Sequence, residues 1–129
     1  MNFELRCEDG VGVLTLRWVA RTADAEGWRL YTATLQGPVV AEAGVPDLNP
    51  PWPAFFSELA RKWRGWDGEL SADSIEGQLR IRATCDSLGH VTFVVELEPV
   101  AAWRAIAELT VVAGSLERLA KDPQRFFSR

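Results

Sequence analysis

Two stretches in the second half of the chain, residues 75–85 and 91–97, alternate apolar and polar side chains and are hinged at Asp86-Ser87-Leu88-Gly89. Successive side chains of a strand point to opposite faces, so the pair reads as a β-hairpin with one face for a core and one for water. In the first arm Ile75, Leu79, Ile81, Ala83 and Cys85 share one parity, while Glu76, Gln78, Arg80, Arg82 and Thr84 take the other. The second arm repeats this with Val91, Phe93, Val95 and Leu97 against Thr92, Glu96 and Glu98. The pattern constrains architecture far more than chemistry.

The remainder of the chain supplies partners for that hairpin. Phe3, Leu5 and Cys7 alternate against Glu4, Arg6 and Glu8 before an Asp9-Gly10 turn, and a second strand follows over residues 11–21. There Leu14, Leu16, Trp18 and Ala20 share a parity that Val11 and Val13 break, which points to a bulge near Gly12 or to burial on both faces. Residues 23–27 turn the chain, residues 28–35 form a third strand, and residues 39–45 after Gly37-Pro38 form a short edge strand. Pro46, Pro50, Pro51 and Pro53 close this region. Trp52, Phe55, Phe56, Leu59, Ala60 and Trp63 then recur at intervals of three and four, the apolar stripe of an amphipathic helix that stops at Gly65. Beyond the hairpin, Trp103, Ala105, Ala107, Leu109 and Val111 alternate with Arg104, Glu108 and Thr110 as a further strand. Ser115 can cap a closing helix through Lys121, and Asp122-Pro123 begins another turn carrying Phe126 and Phe127. This order predicts an α+β fold, with an antiparallel sheet of about six to seven strands on which one central helix and one C-terminal helix pack.

With 129 residues, 47% of them hydrophobic and 25% charged, residues 1–129 form one globular domain that folds without a metal or disulfide staple. No apolar run approaches the ~20 residues of a membrane span. Met1-Asn2-Phe3-Glu4-Leu5-Arg6 enters strand alternation at once instead of an apolar leader, so a soluble cytoplasmic protein with no membrane partner is expected. Cys7 and Cys85 lie on apolar parities, where a free thiol behaves as a small hydrophobe. A net charge of −4 with the bases divided between both halves lacks the footprint of a nucleic-acid binder. The acids are less even: Asp67, Glu69, Asp73 and Glu76 follow Trp66 with no base among them.

His90 is the one side chain whose ordinary pKa lies near neutrality, and Asp86 stands across the turn from it. The pair makes weak catalytic candidates, a base and its orienter; a brace for the turn, or a merely exposed histidine, is the favoured reading. Cys85 has the opposite parity to His90, which argues against a thiol–imidazole dyad, and no nucleophile elbow surrounds Ser87. A lone histidine and two distant cysteines exclude a structural zinc site, and the acidic stretch lacks the glycine and terminal glutamate of a calcium loop. Gly10-Val11-Gly12 and Gly65-Trp66-Asp67-Gly68 are turn glycines without a phosphate loop, so no cofactor and no metal are expected. The outward parity carries Arg80, Arg82, Glu96 and Glu98, with Arg17, Arg29, Arg104 and Glu108 as further members of cross-strand charge pairs.

Trp66, Ile75-Glu76-Gly77-Gln78-Leu79, Asp86-Ser87-Leu88-Gly89-His90-Val91, Trp103 and Gly114-Ser115-Leu116-Glu117 together resemble an uncharacterised family of small, mostly actinobacterial proteins. In size and layout the chain is also similar to the immunity proteins of bacterial toxin systems, acidic single-domain binders that neutralise a partner enzyme. The resemblance implies binding over catalysis and carries no catalytic residues. The expected function is a non-catalytic, immunity-like protein-interaction domain in which Trp66 anchors and Asp67, Glu69, Asp73 and Glu76 meet a basic protein. Two alternatives accompany it: a small enzyme or ligand-binding protein with a site near His90 and Asp86, and a homodimer formed through an exposed sheet edge or apolar helix residues.

Overall fold

A computed structural model describes residues 2–21 and 28–128. Strands β1 (Asn2–Arg6), β2 (Val13–Arg21), β3 (Arg29–Gln36) and β4 (Val40–Asp47) form one antiparallel sheet in chain order. Helix α1 (Trp52–Arg61) leads to β5 (Leu70–Asp73), β6 (Leu79–Cys85), β7 (His90–Val100) and β8 (Trp103–Val112), a second antiparallel sheet also in chain order. A 3₁₀ turn at Ala113–Ser115 passes into helix α2 (Leu116–Phe127). The fold is α+β, but the expectation of a single sheet of six to seven strands is overturned by these two four-stranded sheets. Alternation reveals which side chains share a face; it does not reveal that two such faces oppose one another across a core.

The central hairpin pairs Leu79 with Leu97, Ile81 with Val95, Ala83 with Phe93 and Cys85 with Val91. The apolar members Leu79, Ile81, Ala83, Val91, Phe93, Val95 and Leu97 are all buried. Ile75 departs from the sequence reading: it is 53% exposed, because the backbone turns between β5 and β6 through bonds from Ser74 N–H to the Leu79 carbonyl and from Gly77 N–H to the Ser74 carbonyl. The bulge of β2 lies between Trp18 and Ala20 instead of near Gly12, and Val13 and Leu14 are both buried, as the alternative of burial on both faces requires. The turn read over residues 23–27 lies outside the described residues.

Helix α1 starts with Pro53 in its first turn, where a missing N–H costs nothing, and buries Trp52, Phe55, Phe56 and Leu59. Trp63, expected in that stripe, is 57% exposed: the helix ends at Arg61, and Gly65 adopts φ 114° to redirect the chain. Helix α2 continues through Pro123 to Phe127, so the turn expected at Asp122-Pro123 is absent. Tertiary contacts hold that last turn. The Trp18 ring stacks on Phe126 at 4.9 Å, its indole N–H donates to the Phe126 carbonyl at 2.7 Å, and Arg29 donates to the Phe127 carbonyl. Ser115 precedes α2 without a side-chain cap.

Both sheets and both helices share one continuous core. Phe56 sits at its centre, its ring 5.4 Å from Phe3 of β1 and 5.9 Å from Phe93 of β7. The β1–β2 turn lies against β8: Glu8 N–H donates to the Thr110 carbonyl at 2.8 Å, and a Cβ on Gly12 would come within 2.6 Å of Leu109 Cδ2. A larger residue at Gly12 would force the Leu109 side chain to move.

Candidate functional site

The second sheet carries the residues singled out by the sequence. Its outer face is built from Arg80 and Arg82 of β6, Glu96 and Glu98 of β7, and Arg104 and Glu108 of β8. Glu96 is buried there between two arginines, at 3.2 Å from Arg82 and 2.8 Å from Arg104, which also reaches Glu98 at 3.7 Å. A carboxylate so desolvated requires such partners. Arg29 belongs elsewhere, its guanidinium 5.7 Å from the Trp18 ring.

Strand β5 is one edge of this sheet and runs through the acidic stretch: Asp73 ends the strand, Asp67 and Glu69 precede it, and Glu76 lies in the turn that follows. Asp67, Glu69, Asp73 and Glu76 are exposed, and Asp73 lies opposite Arg80 in the β5–β6 register. Among the described residues, no base lies within ion-pairing distance of these four carboxylates. Trp66 is half-buried; its ring packs against the core and its indole N–H donates to the Ala83 carbonyl at 3.3 Å. The loop holding Trp66 and Asp67 meets the hairpin turn, where Trp66, Asp67, Cys85, Asp86 and Ser87 line an open depression of about 380 Å³ with Arg64 at its rim. The fold thus brings together two features that the sequence placed about twenty residues apart.

Asp86 is occupied by the turn itself. One of its carboxylate oxygens accepts from Leu88 N–H at 2.8 Å and His90 N–H at 2.9 Å, and the other meets His90 Nδ1 at 3.2 Å. The His90 amide bond foremost, with the Leu88 amide and the imidazole adding to it, holds the Asp86 carboxyl below its ordinary range. A carboxyl with a lowered folded pKa stabilises the fold above its ordinary pKa and loses that contribution as the pH falls through the folded value. Acidification below about pH 4 is therefore expected to destabilise the wild-type chain more than Asp86→Asn. Urea midpoints of both proteins at pH 7 and pH 3 check this; an equal acid shift in the two would show that the turn carboxylate contributes nothing.

Both cysteines are free and half-buried, with Cys7 Sγ accepting from Thr110 N–H at 3.3 Å. Among the described residues no three His, Cys, Asp or Glu side chains converge as a metal site, and no helix is long and apolar enough to cross a membrane.

Two features escaped the sequence reading. Tyr31 of β3 donates to Asp47 Oδ2 at 2.7 Å and accepts from Trp52 Nε1 at 2.7 Å, while Asp47 Oδ1 accepts from Leu48 and Ile75 N–H at 3.1 Å each. All three side chains are buried. Burial pushes the Asp47 carboxyl above its ordinary range and drives the Tyr31 phenol far upward, so both hydroxyl and network remain as built. The residues are too far apart in sequence to form a visible motif. The second feature is an apolar slot of about 380 Å³ between β8 and the first sheet, lined by Ala105, Ala107 and Leu109 on one side and Val11, Leu35 and Val39 on the other.

The architecture is that of an α+β protein with two antiparallel meanders around one core, and its distinctive surfaces are an acidic sheet edge and an apolar slot. The chain belongs to the family of unknown function DUF6228, which it matches over residues 6–129. No curated protein and no solved structure matches it.

Proposed function

We propose that this chain is a cytoplasmic, non-catalytic protein-binding module, immunity-like in action, whose acidic β5 edge docks on a basic protein surface. The observation that carries this reading is the exposure of four carboxylates on and around the β5 edge, Asp67 and Glu69 before the strand, Asp73 at its end and Glu76 in the turn after it, with Asp67 also lining the depression at Trp66. Carboxylates that make no ion pair within the chain, although Arg64 and Arg80 lie nearby, keep a field directed outward, which steers an oppositely charged partner and raises its encounter rate. The half-exposed Trp66 ring supplies apolar area at the rim of that field. The turn at Asp86 and His90 gives the surface a fixed shape, since the Asp86 carboxylate braces its backbone amides.

The test is affinity capture from native extract with the wild-type chain and with Asp67→Asn/Glu69→Gln/Asp73→Asn/Glu76→Gln, in a salt series. A basic protein should be retained by the wild type at low salt and lost on neutralisation, its association rate falling about tenfold or more. Retention that is indifferent to both salt and the four substitutions would end this reading.

A further inference from the structure

The opposite edge of the same sheet has a different character. Strand β8 runs for ten residues, and its exposed members include Trp103 (71% exposed), Ile106 (58%) and Val112. Long exposed edges of this composition template further strand pairing unless something covers them. The direction of the free backbone groups follows from Thr110, whose carbonyl accepts from Glu8 and whose N–H meets Cys7 Sγ, both on the side away from β7. Residues alternate in this respect along an antiparallel strand, so Arg104, Ile106 and Glu108 also direct N–H and C=O away from β7. Among the described residues no backbone bond reaches Ile106 or Glu108 on that side.

We propose that the β8 edge is covered by the β8 edge of a second copy of this chain, paired antiparallel about a two-fold axis at Ile106. The sequence Arg104-Ala105-Ile106-Ala107-Glu108 is symmetric in size and antisymmetric in charge about its centre. Antiparallel pairing of two copies in that register sets Ile106 opposite its own counterpart and Arg104 opposite Glu108 in both directions, which is the self-complementarity a two-fold interface requires. The same register brings Trp103 of each copy opposite Leu109 of the other. Leu109 lines the apolar slot, whose volume of about 380 Å³ accommodates an indole ring, and Val11 and Val39 stand exposed at its mouth. The pairing ends where the edge ceases to be free: Glu8 occupies it at Thr110, and Ala102, with φ 72°, turns the chain before Trp103. The resulting eight-stranded sheet leaves a β5 edge at each end, so the dimer presents two copies of the acidic surface.

Sedimentation equilibrium of the 129-residue chain, with no partner present, tests the dimer independently of the β5 reading. The wild type should approach twice its 14.4 kDa mass as concentration rises, with concentration-dependent protection of the Ile106 and Glu108 amides from hydrogen exchange. Ile106→Lys places two ammonium groups face to face at the axis, and Trp103→Ala empties the slot of its occupant. Each should raise the dimer dissociation constant about tenfold or more while melting of the dilute chain is unchanged, since both side chains are exposed in the single copy. A chain that stays at 14.4 kDa to millimolar concentration overturns the proposal. So does a dimer that is indifferent to both substitutions, or one in which the Ile106 and Glu108 amides exchange freely.

Discussion

Phe56→Ala is expected to cost about 3–5 kcal/mol, the loss typical of a fully buried aromatic ring. Phe56 lies within ring-contact range of Phe3 in the first sheet, Phe93 in the second and Phe55 on its own helix, and is buried. The cavity left by its removal would be bounded by a sheet on either side and could not close without moving one sheet against the other. Hydrogen exchange on β1–β4 and β5–β8 amides, followed beside denaturant midpoints, measures both the size of the loss and its distribution. Protection should fall in both sheets together. A loss confined to one sheet would show that the two meanders are held separately and that Phe56 is not their common support.

The second large effect belongs to the buried network of Trp52, Tyr31 and Asp47. Tyr31→Phe keeps the ring and its packing but removes the oxygen that accepts the Trp52 indole N–H and donates to Asp47. An orphaned buried donor costs about 1–3 kcal/mol, and the carboxylate loses one of three donors as well. Asp47→Ala is expected to cost more, because the Tyr31 hydroxyl and the amides of Leu48 and Ile75 all lose their acceptor. Asp47→Asn isolates the charge. Burial raises the Asp47 carboxyl pKa, so the folded state binds its proton more tightly than the unfolded chain. The stability that this group confers is greatest below its ordinary value near 3.8 and is lost as the pH rises toward the folded value, the reverse of the Asp86 case. Urea midpoints against pH should therefore lose this downward step in Asp47→Asn. A step that survives the substitution must come from another group.

The sequence was legible where one periodicity governed a long segment. The hairpin of β6 and β7 and the α1 stripe of Trp52, Phe55, Phe56 and Leu59 were readable because each side chain repeats the same instruction. The cross-strand partners of Glu96 were visible for the same reason, as opposite charges on one parity. Strand β5 was not readable, since Leu70 and Ala72 are too few to establish alternation and its neighbours are turn-forming and acidic. Pro123 reads as a stop in isolation, yet the stacked ring of Trp18, from a strand about a hundred residues earlier, keeps the helix going. At the surface, the acidic residues were evident individually, but the meeting of Asp67 with the Cys85–Ser87 turn and the place of Asp73 on an edge strand depended on how the second meander folds back. The slot at β8 depends on the small inner side chains Ala105 and Ala107 facing another sheet, a relation that no single stretch contains.

Each sheet is assembled from a contiguous piece of chain, with every strand beside its predecessor. On a ribosome the first meander is complete when α1 emerges, and although α1 brings Phe56 to Phe3 and Trp52 to Tyr31, the second sheet and α2, which complete the same core over its inner face, have yet to be made. Synthesis at about 5–20 residues per second leaves that apolar face waiting for several seconds. The nascent chain is thus vulnerable to misassociation once α1 has been made, and a pause in translation there would prolong the interval in which half a core is on display.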